Sequence, residues 1–502
     1  MSVLNIAAAI LAICISSSIA LAAVPAQAKP PLELRIDPTV TYGVWDGWGT
    51  SLCWMGKVFG DRDDIADFLF STKTTSFKGQ SVPGLGLNIA RYNAGACSDN
   101  TIDGHKMKVS KIIMPYRQMD GFWLDGKSPN PASSSWNWNA DANQRLMLLK
   151  ARERGANRFE LFSNSPMWWM CAADNPSGAA RASANNLPDH NYQKFAVYLA
   201  VVAQAAKTRW GVAFTSIEPF NEPVSDWWFA DCKQEGCHVS REAQQKILPL
   251  LKAELVRLHL PDLAIAASDE NTYDQAIDTW QGFSKETQAL VSQINVHGYQ
   301  YGGGRRDALQ RLAVVESHKK LWNSEYGDGD GSGLEMARNL HRDMRWLHPT
   351  AWCYWQPADA GGWGLLDCRM EKAEVRSVNA KAYMLAQYSR HIRPGMTLVG
   401  SGSEAVVAAF SPQEKRLVLV AFNDGPARTM RIDLSGFTVP DGALTRALTT
   451  PKGRARYERQ PDLAVQGRRF EVELPADSVE TFEVKGASCT SLGADHAAPS
   501  PP

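Results

Sequence analysis

Two glutamates of this chain stand in similar local sequence. Glu222 follows an apolar run and precedes Pro223, and Glu325 ends a second run, Leu321-Trp322-Asn323-Ser324-Glu325. Since proline cannot continue the hydrogen bonding of a strand, Pro223 predicts a strand that ends in a turn. Two carboxyl groups delivered from two strand ends to one cleft suit the hydrolysis of a glycosidic bond. One protonates the leaving oxygen, and the other attacks the anomeric carbon or activates water.

The alternative for a single glutamate at such a position is a solvated cap or an ion pair. The two positions match in context, since each lies beside an aromatic residue and an asparagine, and this match favours a catalytic pair. Glu218 and Glu270 also end or follow apolar runs. We expect these two to be neighbouring or substrate-binding carboxylates rather than the proton donor.

A regular alternation of strands and helices would position the pair. From residue 42 to residue 390, apolar β-like segments are predicted at 42–49, 85–92, 158–163, 212–218, 263–267, 292–297, 319–323 and 350–355. Amphipathic helices are predicted between them, for example at 142–154, 191–208, 241–258 and 334–346. This pattern predicts an α/β fold, a (β/α)8 TIM barrel over 42–390. An open doubly wound sheet is the alternative, but no glycine-rich phosphate-binding turn follows the first strand.

The pattern changes after residue 390, where short apolar runs alternate with turn residues. This pattern of short strands and turns predicts a C-terminal β-sandwich over 391–486. The lead segment 29–41 contains an alternating run at 32–36 that has no partner in the barrel, and we expect it to pair with the sandwich. Residues 487–502 are rich in Ala, Pro and Ser and predict a mobile tail.

Charge and the N-terminus narrow the possible partners. The 502 residues include 53 Lys and Arg and 53 Asp and Glu, so no net field attracts nucleic acid or an anionic membrane. We expect a neutral polysaccharide or oligosaccharide partner, and a monomer. Residues 1–28 predict a cleaved signal peptide, hence secretion to the extracellular space or the periplasm. An uncleaved membrane anchor is the alternative, because the apolar run can span a bilayer.

Cysteine usage gives no sign of a metal. Eight cysteines lie beyond residue 28, and in an exported chain they can form disulfides. Cys232 with Cys237 is the best local pair, and Cys353 with Cys368 is the next. The sequence has no C-x-x-C motif and no His and Cys cluster with metal-ligand spacing, so we predict neither a metal nor another cofactor.

All 17 tryptophans precede residue 364. Several closely follow predicted strands, namely Trp45, Trp48, Trp54, Trp168, Trp169, Trp227, Trp228, Trp355 and Trp363. Aromatic faces at the carboxyl ends of barrel strands suit the C–H faces of sugar rings. The alternative for any one tryptophan is a place in the core.

Six motifs occur in order along the predicted barrel. They are Gly47-Trp48-Gly49-Thr50-Ser51, Leu87-Asn88-Ile89-Ala90-Arg91-Tyr92-Asn93, Asn164-Ser165-Pro166-Met167-Trp168-Trp169-Met170, Asn221-Glu222-Pro223, His297-Gly298-Tyr299 and Ser324-Glu325-Tyr326. On these motifs the chain resembles glycoside hydrolase family 30, over roughly residues 30–486. The resemblance implies that Glu222 is the general acid/base and Glu325 the nucleophile. It also implies a retaining mechanism, with the two carboxyls about 5–5.5 Å apart.

The resemblance further implies roles for residues around the pair. Asn221 would donate to the sugar 2-hydroxyl, and Arg91 would orient the nucleophile and keep it ionised. The full predicted substrate-binding set is Asn221, Arg91, Trp48, Trp169, His297, Tyr299 and Trp355.

Within the family, residues 45–54 and 217–223 most resemble the endo-β-1,6-galactanase branch. That branch implies the β-1,6-galactan side chains of plant arabinogalactan as substrate. Close alternatives are a β-1,6-glucanase and a glucuronoxylanase, although the sequence shows no basic pocket for a glucuronate carboxylate. A transglycosylase and a non-catalytic polysaccharide-binding protein also stay open.

Overall fold

The computed structural model describes residues 30–452 and 455–490. The predicted signal peptide, residues 1–28, lies outside these ranges, as does the tail from residue 491 onward. Among the described residues, no helix is both long enough and apolar enough to cross a membrane.

Eight parallel strands close into a barrel, and each is hydrogen-bonded to its neighbours in chain order. The strands are Gly47–Ser51, Ile89–Asn93, Arg158–Phe162, Ser216–Glu218, Ala264–Glu270, Gln293–His297, Lys320–Tyr326 and Ala351–Tyr354. Nearly every residue in them is buried, because helices cover the outside and side chains fill the interior. The prediction of a (β/α)8 barrel is confirmed.

The α-helices of the described residues are Met55–Phe59, Asp63–Phe70, Ala142–Glu153, Tyr192–Ala205, Arg241–Arg257, Tyr273–Gly282, Lys285–Leu290, Arg306–Gln310, Leu334–Arg342 and Ala380–Ser389. Three of them begin where the sequence supplies a hydroxyl cap. Ser240, Thr272 and Ser284 each accept a hydrogen bond from the backbone N–H three residues further on. Such a bond satisfies an N–H group that the helix itself leaves without a partner.

Two further sheets stack into a β-sandwich. The larger has the strand order Asp37–Val44, Thr397–Gly400, Val406–Ser411, Arg416–Asn423, Ser478–Lys485, Gly442–Thr449 and Glu458–Val465. The smaller has the order Leu32–Arg35, Arg428–Asp433 and Arg469–Leu474. Side chains including Ile36, Phe410 and Phe482 form the core between them. The predicted C-terminal sandwich is confirmed.

The central strands of the larger sheet are buried on both faces. In the strand Arg416–Asn423, Leu417 and Leu419 belong to the sandwich core, whereas Val418 and Val420 belong to the core shared with the barrel. Successive side chains of a strand point to opposite faces, so contact with two cores requires a continuous apolar run. This strand supplies one, and the sandwich is thereby packed against the barrel.

The predicted strand 42–49 is wrong, because it joins two strands of different domains. Asp37–Val44 pairs with Thr397–Gly400 in the sandwich, and Gly47–Ser51 is the first barrel strand. The barrel therefore begins at residue 47 rather than 42. Trp45 lies between the two strands and is buried, so the hydrophobic pattern continues across the boundary and hides it.

Two smaller expectations also differ from the structure. Ala487 is buried in the sandwich core and Ser488 bridges to Thr438, so the ordered sandwich extends beyond residue 486. The eight described cysteines all carry free thiols, including Cys232 and Cys237. Seven of the eight are buried, where each thiol packs as a small apolar group.

The lead segment provides a stability prediction. Ile36 is fully buried in the sandwich core, so Ile36→Ala should lower the free energy of unfolding by about 2–5 kcal/mol, because it leaves a cavity. Val40→Ala is the matched control, because Val40 is 41% exposed, and its effect should stay within about 0.5 kcal/mol. Denaturant unfolding followed by circular dichroism compares the two. Equal midpoints would contradict the packing of the lead segment into the sandwich.

Candidate active site

Glu222 and Glu325 lie at the same face of the barrel. Glu222 follows the fourth strand, Ser216–Glu218, and Glu325 is the penultimate residue of the seventh, Lys320–Tyr326. Since the strands are parallel, their carboxyl ends meet at one face, and both glutamates line a cavity of 590 Å³ there. One oxygen of each carboxyl group lies within 4.8 Å of the other. The fold therefore brings the predicted pair together.

The backbone of Glu222 has an uncommon conformation. Its φ is 48°, in the left-handed region that a residue with a side chain rarely adopts. Its N–H donates to the carbonyl oxygen of Asp269 at 2.9 Å, and its own carbonyl accepts from Trp228 Nε1 at 2.9 Å. Nδ2 of Asn271 donates to Glu222 Oε1 at 2.6 Å. These bonds hold both the backbone and the carboxyl group at the cavity.

Glu325 is surrounded by donors. Nη1 of Arg91 lies 3.3 Å from its Oε2, and the Tyr299 hydroxyl donates to its Oε1 at 2.9 Å. Burial raises the pKa of Glu325 to about 7; His297 and Arg91 oppose this rise, and the Glu222 charge adds to it. The proximity of the two carboxyls thus makes ionisation of Glu325 less favourable.

His297, the last residue of the sixth strand, lies among three carboxyls. Its Nδ1 is 3.0 Å from Glu222 Oε1 and 3.6 Å from Glu325 Oε1, and its Nε2 is 3.1 Å from Asp269 Oδ2. Burial alone would lower the pKa of His297, but the Glu325 and Asp269 charges outweigh it and hold this pKa well above its usual range.

Asp269 is the central residue that sequence reasoning missed. Its carboxylate contacts Arg91 Nη2 and His297 Nε2 and accepts a hydrogen bond from the Ser324 hydroxyl. Burial would raise the pKa of Asp269, but the charges of Arg91 and His297 hold it below its usual range. The fifth strand runs to residue 270, beyond its predicted end, and its register shifts between Ser268 and Glu270. Such a bulge re-aims a side chain, which strand alternation cannot predict.

Arg91 joins the pair to the barrel interior. It is fully buried, and its Nε donates to Glu160 at 2.8 Å. Glu160 also accepts hydrogen bonds from Ser216, Gln293 and Asn295. The guanidinium thus contacts three carboxylates, one of which is Glu325, at the position expected for Arg91.

Aromatic side chains dominate the cavity wall. They are Trp54, Trp227, Trp228, Phe229, Tyr299, Tyr301, Trp355 and Trp363. Trp355, a predicted contact, meets Trp54 edge to face with a centroid distance of 5.3 Å. Asn221 also lines the cavity, and among the described residues its Oδ1 has no hydrogen-bond partner. Ring faces with a few free polar groups are the usual lining of a sugar-binding cleft.

Charged groups complete the lining, and the sequence did not single them out. Arg117, Asp359 and the neighbouring residues Asp231 and Lys233 reach the cavity from three separate segments. The Arg117 guanidinium stacks over the Trp54 ring at 4.2 Å from its centroid. Since these three segments are distant in sequence, no local pattern indicates that they share a cleft.

Two predicted contacts lie elsewhere. Trp48 is 1% exposed, and its Nε1 donates to the carbonyl of Ile392 at 2.8 Å. Because the first strand begins at residue 47, Trp48 lies at the amino end of the barrel rather than at its carboxyl end. Trp169 donates to the carbonyl of Trp123 at 2.8 Å and lies beside Lys194, outside the described lining of the cavity.

Glu218 and Glu270 are both buried away from the cavity lining. Oε1 of Glu218 accepts from the N–H of Phe220 at 3.3 Å, and burial raises the pKa of this carboxyl well above its usual range. Glu270 accepts from the Thr279 hydroxyl at 2.6 Å, and burial raises its pKa to about 8. Neither carboxyl reaches the cavity, and both make contacts inside the barrel wall.

Comparison with known proteins shows the family to which this chain belongs. Residues 31–296 match the model of O-Glycosyl hydrolase family 30. An endo-beta-1,6-galactanase from Hypocrea rufa is 49% identical over 477 residues, which cover 93% of this chain and 98% of the relative. An exo-beta-1,6-galactobiohydrolase from Bifidobacterium longum is 23% identical over 410 residues, covering 63% of this chain and 27% of that protein.

A solved structure shows the same fold. The glycoside hydrolase family 30 subfamily 8 xylanase of Clostridium acetobutylicum superposes with a TM-score of 0.67 at 20% identity, covering 90% of this chain and 99% of that one. The barrel, the paired carboxyls and the match of sequence along most of the chain lead to one conclusion. This chain belongs to O-glycosyl hydrolase family 30 and is a glycoside hydrolase.

Proposed function

We propose that this protein is a secreted, retaining endo-β-1,6-galactanase that acts on the galactan side chains of plant arabinogalactan. The observation that carries the proposal is the Glu222 and Glu325 pair, whose carboxyl oxygens lie within 4.8 Å at the cavity. The substrate is proposed from the Hypocrea rufa relative, which is 49% identical. Secretion is proposed from the apolar residues 1–28.

Glu325 is assigned as the nucleophile. The Arg91 guanidinium and the Tyr299 hydroxyl both donate to its carboxyl, and such donors favour the charged form. Glu222, which lines the same cavity as this carboxyl, is assigned as the general acid/base. In the first step Glu325 attacks the anomeric carbon while Glu222 gives its proton to the leaving glycosidic oxygen.

Water completes the reaction. Glu222, now a carboxylate, removes a proton from a water molecule, whose oxygen displaces Glu325 from the anomeric carbon. Two inversions give net retention. The short separation supports this course, because inverting enzymes need carboxyls about 6.5–9.5 Å apart to hold a water between them. Asn221, with its unpartnered Oδ1, is assigned to the sugar hydroxyl beside the anomeric carbon.

The aromatic wall supports a polysaccharide substrate. Trp54, Trp355 and Trp363 line the cavity with the pair, together with Tyr301 and Trp227. Sugar C–H faces pack on such rings. The barrel supplies the paired carboxyls, while these loop residues are the ones we assign to substrate choice.

Substrate choice has a direct test. We expect the purified protein to release reducing ends from de-arabinosylated β-1,6-galactan as a ladder of oligosaccharides, because an endo enzyme cuts internal bonds. β-1,6-Glucan and glucuronoxylan run in parallel should give no release. Hydrolysis of either glucan or xylan in place of galactan would keep the mechanism and overturn the substrate. Galactobiose as the sole early product would overturn the endo mode.

The two carboxyl roles are separable by substitution. Glu325→Gln should lose activity by several orders of magnitude on every substrate, because no nucleophile remains. Glu222→Gln should lose about 10²–10⁴-fold on galactan, yet still cleave an aryl β-galactoside whose leaving group needs no proton. Azide should then restore turnover of the aryl substrate and give the β-glycosyl azide. Glu270→Gln is the matched control, since burial raises the pKa of Glu270 to about 8 and this residue lies outside the cavity lining.

The two carboxylates on either side of Arg91 give a third test. Asp269→Asn should lower kcat about a hundredfold, because the Asp269 carboxylate contacts and orients His297 and Ser324. It should also lower the pKa of His297, which histidine NMR follows, because a neighbouring negative charge is removed. Glu160→Gln is the control: it also removes a carboxylate from Arg91, but one that lies deeper in the barrel. Its main effect should be on the melting temperature. Equal losses of kcat in the two variants would contradict a positioning role for Asp269.

A further inference from the structure

The fold assembles three metal-ligating atoms that the sequence keeps far apart. One carboxylate oxygen of Glu222, one of Glu325 and Nδ1 of His297 all lie within 4.8 Å of one another, and all three residues are buried. The imidazole Nδ1 is 3.0 Å from Glu222 Oε1 and 3.6 Å from Glu325 Oε1. No His and Cys spacing in the sequence indicates this cluster.

The separations fit one small divalent ion. Tetrahedral zinc binds imidazole nitrogen and carboxylate oxygen at about 2.0–2.2 Å, so two of its ligand atoms lie about 3.3–3.6 Å apart. The distances from His297 Nδ1 to the two carboxyls, 3.0 and 3.6 Å, are close to that range. The two carboxyl oxygens, within 4.8 Å of each other, need to approach by at most about 1.5 Å, a shift within the reach of carboxyl rotation.

The surrounding groups orient these ligands. Asp269 Oδ2 lies 3.1 Å from His297 Nε2, and a carboxylate on the far nitrogen is the usual partner of a metal-binding histidine. Asn271 and Tyr299 donate to Glu222 Oε1 and Glu325 Oε1 at 2.6 and 2.9 Å. The groups that hold metal-binding side chains in position are therefore already present around these three residues.

Charge also favours a divalent cation. Four carboxyl groups, those of Glu160, Glu222, Asp269 and Glu325, surround the Arg91 guanidinium and the His297 imidazole here. A divalent ion adds positive charge to this cluster, and His297 binds it as a neutral imidazole. The cavity of 590 Å³ beyond the cluster leaves space for water as the remaining ligands.

We propose that Glu222, His297 and Glu325 form an inhibitory site for a borderline divalent transition ion such as Zn²⁺, in competition with the sugar. One nitrogen with two oxygens suits Zn²⁺, Cu²⁺ or Ni²⁺, whereas Mg²⁺ and Ca²⁺ prefer oxygen ligands alone. A bound ion occupies both carboxyls and so prevents proton donation and nucleophilic attack. Metal binding itself requires neither the galactan substrate nor the roles proposed for the two glutamates.

Calorimetry with the full chain, free of any histidine tag, tests the proposal. Titration with ZnCl₂ should give one site per chain, and MgCl₂ should give none. His297→Ala should abolish this site, and Glu222→Gln, which keeps the shape of the side chain, should weaken it at least tenfold. Glu270→Gln, whose carboxyl contacts Thr279 away from the cluster, should bind as the wild type does. Melting curves of all variants report whether each is folded.

Two results would overturn the proposal. One is the absence of zinc binding to the wild type, and the other is equal binding by the wild type and folded Glu222→Gln and His297→Ala. Zinc should also raise the apparent KM for substrate without changing kcat, and EDTA should reverse this effect. If the protein bound zinc at this site but hydrolysed no polysaccharide, the proposed function would fail and the metal site would stand.

Discussion

The buried guanidinium of Arg91 is the interaction on which the active face depends. It contacts Glu160 in the barrel interior, Asp269 on the fifth strand and Glu325 on the seventh. Removing one partner of a buried charge cluster costs about 3–5 kcal/mol, because the remaining charge is left without compensation. Arg91 therefore links three strands and opposes the rise in the pKa of Glu325 that burial causes. The position of Glu325 thus depends on this one residue on the second strand.

A second buried cation organises the aromatic wall. Nζ of Lys381 donates to Asp328 Oδ1 at 2.7 Å, to the Tyr354 hydroxyl at 2.9 Å and to the carbonyl of Gly362 at 2.8 Å. It joins the loops that follow the seventh and eighth strands, and the second of these loops carries two of the cavity tryptophans, Trp355 and Trp363. The helix of Lys381 is held in turn by the sandwich, since Gln387 on that helix donates to Thr449 at 2.9 Å. The sandwich thus supports the cleft from a distance, through a helix and an ammonium group.

How much could be predicted depended on whether a signal was local. The paired glutamates, the barrel and the sandwich follow from strand periodicity and from short motifs, because burial on one or two faces leaves its pattern in neighbouring residues. The prediction for Trp48 is wrong because apolar residues at the end of Asp37–Val44 and at the start of Gly47–Ser51 resemble one strand in the sequence. Asp269 was missed because a bulge, which has no fixed residue pattern, turns it inward. Arg117 and Lys233 were missed because their shared cleft exists only in three dimensions.

By itself, the sequence determined the order of strands and helices, the class of the fold and the two carboxyls that the barrel would deliver to one face. These are consequences of local hydrophobic pattern and of the parallel connection of strands. Tertiary structure decided the rest. It set the distance between the carboxyls, placed His297 between them, selected Asp269 over Glu270 and chose which tryptophans face the cavity. These placements depend on buried contacts between residues that lie far apart in the chain. No local sequence pattern predicts such contacts.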